Sequence, residues 1–313
     1  MRSTILLSCL LSSVICYGQS DSLMVPFVSY WANGDAYDFR VTKVKQKWKE
    51  GELTKNDSSS YLVNFQVIDS TETNYRIKWS YRTNFSQYDI PDELVDRLAK
   101  YQVTEVIYQT SEVGEFLGIE NWQEISDMIK GLFTSMIDLL SVNDNGKKLN
   151  LDKAMKPLMQ VYESKEGIEQ LVFTELHFFH FPFGVEFNAN ETVEYEEQLP
   201  NMFGGKPIRG DAKIYFEEVD VENSHCIMIQ EMNLNPEDTK DLIHTMFKRM
   251  GLKDKDMKKA MKSAKYETSD HNRYEYYYYP GIPVKIETKR ETLIDMGKGN
   301  GKRVDKTIIE LLE

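Results

Sequence analysis

Cysteine is scarce. The 313-residue chain has three, and two of them, Cys9 and Cys16, fall within its first sixteen positions. Positive charge is short as well: 38 Lys and Arg stand against 50 Asp and Glu, a formal net charge of −12. That balance excludes nucleic acid as a partner, because such binding rests on basic side chains neutralising phosphates. The one basic block, "KDKDMKKAMKSAK" from Lys253 to Lys265, is broken by Asp254 and Asp256 and reads as a solvated helix face. No apolar run reaches the roughly 20 residues that a membrane-spanning helix needs.

Chemical signatures are missing too. No serine sits in a nucleophile-elbow pattern, and "GEFLG" and "GKGNG" lack the strand-to-helix context of a phosphate loop. "ELHFFH" places Glu175, His177 and His180 close together, and on a helix the two histidines share one side at a metal-binding spacing. Further ligands are absent nearby, however. The flanking Phe178, Phe179, Phe181 and Phe183 point to a buried helix end instead. The pairs Glu196/Glu197 and Glu217/Glu218 cannot flank one glycosidic bond, since neighbours in a strand face opposite ways. "RGD" at Arg209–Asp211 merely opens a strand, and Cys226 sits in an apolar one, which implies an inert buried thiol. No catalytic residue, metal ligand or cofactor is expected.

What is present begins with an export signal. Arg2, an apolar run from Ile5 to Ile15, and Gly18 before Gln19 have the anatomy of a cleaved signal peptide spanning residues 1–18. Ile15 is too bulky to precede a lipidated Cys16, and a lipidated Cys9 would leave a very short apolar stretch. An unlipidated protein of the periplasm or cell surface is therefore expected, with Cys226 alone in the mature chain. It must be held by an apolar core rather than by disulfides, which a chain of about 300 residues can build.

Strand alternation dominates the rest. "AYDFRVTKV", "YLVNFQVI" and "NYRIKWSYR" each carry one apolar and one polar face, with Asp69–Asn74 as a hairpin loop, which predicts an antiparallel meander. After Pro182 the strands resume as "GVEFNANETVEYEEQ", "GDAKIYFEEVDV", "HCIMIQEMNL", the tyrosine segment "NRYEYYYY", "VKIETKRETLIDM" and "RVDKTIIELL". "GKGNGK" (Gly297–Lys302) is read as a hairpin loop. Helices are predicted from Asn121 with a capping box to Glu124, and from Asn235, where Pro236 takes the first turn. Weaker ones start at Pro91, Leu151 and Lys165. Hairpin followed by proline-started helix occurs twice, so residues 19–313 read as one domain of two pseudo-repeated halves dividing near 142–150.

The segment from Leu199 to Ile243, with "WKEGE" and "YRIKWSY", resembles a group of uncharacterised exported proteins of Bacteroidetes-type bacteria. The element order is also similar to the periplasmic lipoprotein-carrier (half-barrel) architecture, a likeness of fold that lends no catalytic residues. The expected fold is α+β: a large curved antiparallel sheet with amphipathic helices on its apolar concave face. The expected function is non-catalytic binding or carriage of an apolar ligand such as an acyl chain. Its predicted lining is Met128, Phe133, Met136, Met155, Met159, Met246, Phe247, Tyr276 and Tyr278, because methionine adapts to irregular apolar guests. Two alternatives stay open: an envelope interaction or assembly protein with a filled core, and a glycan-binding or hydrolytic protein using the Tyr274–Tyr279 strand.

Overall fold

The computed structural model describes residues 22–82, 103–140, 159–171, 173–199, 201, 206–249, 265–295 and 300–312. Its main feature is an 11-stranded antiparallel sheet made of two meanders. The first runs through β2 (Ala36–Lys49), β3 (Glu52–Ser70), β4 (Asn74–Arg82), β5 (Glu105–Ser111) and β6 (Phe116–Ile119). The second runs through β8 (Val193–Leu199), β9 (Ile208–Asp220), β10 (His225–Leu234), β11 (Lys265–Tyr277), β12 (Ile282–Asp295) and β13 (Asn300–Leu311). The last strand closes onto the first of the opposite meander, giving the order β6-β5-β4-β3-β2-β13-β12-β11-β10-β9-β8. Two short strands, β1 (Met24–Pro26) and β7 (Glu186–Asn188), pair only with each other.

Register explains the core. Phe39 faces Val63, Phe65 faces Trp79, and Trp79 faces Val106, so the apolar alternants of four strands gather on one face. In the second meander Tyr274 faces both Met228 and Ile286, and Ile286 faces Ile309. All of these are buried. A slip of one residue would turn each set outward, which is what fixes the pairing. Further along the same face the second meander becomes polar: Gln230, Asp270 and Asn272 are buried, and each is paired. Asn272 donates to Gln230 (2.8 Å), Gln230 donates to the Tyr195 hydroxyl (2.8 Å), and Arg290 grips Asp270 through two bonds of 2.7 and 2.6 Å.

Besides a helical stretch at 159–161, four helices are described: α1 (Trp122–Leu140), α2 (Lys165–Leu171), α3 (Thr174–His180) and α4 (Pro236–Arg249). Asn235 caps α4 as expected, its side-chain oxygen accepting from the amides of Glu237 and Asp238 at 3.1 Å each. Asn121 is used differently. Its side-chain oxygen accepts from the Ile107 amide (3.0 Å), which pins the start of α1 to β5.

α3 lies on the apolar face. Phe179 meets Phe39, Phe65 and Trp79 at ring centroids of 5.3–5.5 Å, and its carbonyl accepts from the Tyr276 hydroxyl. On the same face runs an extended strap in which Val25, Phe27, Ser29 and Trp31 alternate inward, Trp31 packing on Phe65 and Tyr75 and Phe27 on Tyr276. Trp31 Nε1 donates to the Gly281 carbonyl (3.0 Å), and the Tyr30 amide donates to Pro280 (3.0 Å), so the strap is tied to the β11–β12 turn.

Several sequence boundaries shift. The Asp69–Asn74 loop shrinks to residues 71–73, because Asp69 and Ser70 extend β3 and Asn74 opens β4. Residues 300–302 of the expected glycine loop pair with β12 and Trp48–Lys49 and belong to β13. Lys265 starts β11 rather than ending a helix, and the helix expected from Lys165 breaks in two around Phe173. The helix expected at Pro91, residues 151–158 of the one expected from Leu151, and residues 253–264 of the basic block lie outside the described residues, while residues 159–161 are helical as expected.

Candidate ligand-binding site

The predicted lining residues that the structure describes fall on several elements. Met128 and Phe133 are half-buried on α1, Phe133 packing against Tyr162 at 5.4 Å, and Met159 is half-buried. Met155 lies outside the described residues, as do the side chains of Met136, Met246 and Phe247. Tyr276 is fully buried, with its ring against Phe27 and its hydroxyl on the Phe179 carbonyl, so it belongs to the core beneath the strap. Tyr278 is half-buried in the turn after β11, while Tyr277 and Tyr279 are exposed.

One residue noted only for metal spacing is instead the centre of a polar cluster. Glu175, 1% exposed, projects from α3 onto three adjacent strands. Lys43 of β2 donates to Oε2 (3.0 Å), while Tyr61 of β3 and Tyr81 of β4 donate to Oε1 (3.1 and 3.2 Å). Burial first, and the Glu175 charge second, hold the Tyr81 hydroxyl well above the ordinary phenol range, so it stays a donor. Beside it the Trp79 indole N–H is buried and makes no hydrogen bond of ordinary geometry. Nothing in the sequence marks the cluster as a unit: Glu175 is separated by 132 residues from Lys43 and by 94 from Tyr81.

His180 makes a second buried pair. Its Nδ1–H donates to the Gly114 carbonyl (2.8 Å), which leaves Nε2 to accept from the Tyr108 hydroxyl (2.9 Å). Burial lowers its pKa to about 3, so the ring is neutral. The His177 ring packs edge-on against Phe116 at 4.9 Å, and the partial desolvation of the ring lowers its pKa. Among the described residues no three His, Cys, Asp or Glu side chains converge as a metal site would require. The Cys226 thiol is pushed up to about 12 by burial and is unreactive there. Arg209 of the "RGD" triplet is clamped to Asp238 at the start of α4 by bonds of 2.7 and 3.0 Å. Among the described residues no helix is long and apolar enough to cross a membrane.

No protein-family model matches the chain, and no curated protein does. Among solved structures, one similar to it is a conserved protein of unknown function with a hot dog fold from Alicyclobacillus acidocaldarius. The comparison covers 90% of this chain and 80% of that one at 5% identity with a TM-score of 0.10, and no fold assignment rests on it.

Proposed function

We propose that the protein is an exported, non-catalytic binder of an apolar ligand such as an acyl chain, with the sheet curled around the ligand-covering helices. Curvature is supported by two neighbouring side chains. His180 meets Tyr108 of β5 at 5.3 Å, and Phe181 meets Tyr274 of β11 at 5.0 Å. Those strands are six intervals apart in the sheet, about 29 Å if it were flat at ~4.8 Å per strand. Two adjacent residues bridge that span only when the sheet bends toward them.

The observation that carries the reading is the state of α1. Its first turn is anchored, with Ile125 buried and Ser126 donating to the Tyr162 carbonyl (2.8 Å). Beyond it Met128, Ile129, Leu132, Phe133 and Ile137 are all only half-buried. α4 repeats the pattern: Thr239 is buried, while Leu242 and Ile243 are half-buried. Apolar stripes held at one end and incompletely covered along their length suit a guest that completes the burial.

Mass spectrometry of extracts from the purified protein is expected to find bound lipid, and an acyl amphiphile is expected to displace a hydrophobic dye. Phe133→Glu, placing a charge in the stripe, should weaken that displacement by about tenfold, the equivalent of ~1.4 kcal/mol. Absence of both bound lipid and displaceable dye would rule the reading out. A second reading, an envelope interaction protein with a filled core, is favoured by the aromatic packing around Phe179, where α3 occupies the apolar face.

A further inference from the structure

We propose that Lys43, Tyr61, Tyr81 and Trp79 form a seat for the anionic oxygen head group of an acyl ligand, and that the Glu175 carboxylate holds that seat as an internal surrogate. This rests on the apolar-ligand reading and adds a head group to it. Three donors from three adjacent strands converge on one carboxylate, Lys43 at 3.0 Å and the two tyrosines at 3.1 and 3.2 Å. Such convergence is what recognition of a carboxylate or phosphate requires.

Two further features point beyond a plain ion pair. The Trp79 N–H is fully buried, makes no hydrogen bond of ordinary geometry and faces the Tyr81 hydroxyl, so it adds a donor behind the two that reach Glu175 Oε1. The Lys43 side chain is 30% exposed while that of Glu175 is 2% exposed, so the cation is reachable from solvent and the surrogate is not. Along β2 and β3 the seat shares its face with Phe39, Val41 and Val63, which are buried in the core.

Binding of palmitate, a lysophosphatidate of the same chain length and hexadecanol would be compared in wild type, Glu175→Gln and Lys43→Met. Glu175→Gln, which removes the competing charge, is expected to tighten an anionic amphiphile by tenfold or more and leave hexadecanol unchanged. Lys43→Met is expected to reduce the anionic ligand to the level of the alcohol. Tightening confined to palmitate assigns a carboxylate head, and tightening confined to the lysophosphatidate assigns a phosphate. If Lys43→Met does not fold, Tyr81→Phe, which removes a single hydroxyl, should weaken the anion alone. Equal responses of all three ligands would overturn the seat while leaving the apolar-ligand reading standing. Binding of none of them by any variant would remove both.

Discussion

Burial decides the protonation of His180, and pH should reveal it. With a folded-state pKa of about 3 against an ordinary value near 6.5, the unfolded chain binds more protons throughout that interval. The contribution of the neutral ring is therefore complete above about pH 6.5 and is lost progressively as pH falls toward 3. Urea midpoints measured at pH 7 and pH 5 should show the wild type losing stability over a range where ordinary carboxylates are still ionised. His180→Gln should be less stable at pH 7 and show a shallower loss. An equal slope in both proteins would mean that another group titrates there. Gly281 presents a different single-residue constraint. Its φ of +91° is in the left-handed region, and an added Cβ would lie 2.8 Å from the Val28 carbonyl and 3.0 Å from the Phe183 ring. Gly281→Ala should cost about 1–3 kcal/mol in chemical denaturation, because backbone strain and contact with the strap act together. A neutral outcome would show that the strap is free to move aside.

At the scale of elements, α3 does more than its seven residues suggest. Phe179 alone touches β2, β3 and β4, so Phe179→Ala should cost about 3–5 kcal/mol in urea denaturation. A cost under 1 kcal/mol would show that the face repacks without it. This element was only partly legible in the sequence. "ELHFFH" marked a buried helix end because four phenylalanines crowd it, but the partners of Glu175 could not be read, being fixed by tertiary approach across long stretches of chain. Alternation identified β2, β3, β4 and most of the second meander wherever one face is buried. It failed for the first half of β3, where Glu52–Ser58 are exposed on both faces and carry no apolar rhythm to read. The strap was missed for a related reason: "VPFVSYW" places apolar residues on both faces, and Val25, Phe27, Ser29 and Trp31 turn inward because main-chain bonds to neighbouring segments hold the chain there. Of the predicted lining, Met128 and Phe133 carry the functional reading, whereas Tyr276 is taken up by the core, a distinction set by what lies above each side chain rather than by residue type.

The whole molecule depends on the seam between β13 and β2, where the two meanders meet. There Val41 faces Ile309 and Phe39 faces Leu311, with Val41, Ile309 and Phe39 fully buried. The outer edges are protected in other ways. On β6 the Ile119 amide donates to Glu169 of α2 (2.7 Å), and β8 carries Glu194, Glu196 and Glu197, charges that discourage strand addition. The seam has no such protection, so either meander alone would leave an uncovered strand and half of an apolar face in water. Ile309→Ala removes three carbons from the centre of the seam and should destabilise by about 2–5 kcal/mol. Native-state hydrogen exchange separates the alternatives. If the sheet is one cooperative unit, the amides of β4 and β10, far to either side, should lose protection by the same free energy as the global stability falls. Loss in β10 with β4 unchanged would mean that the first meander keeps its fold without its partner.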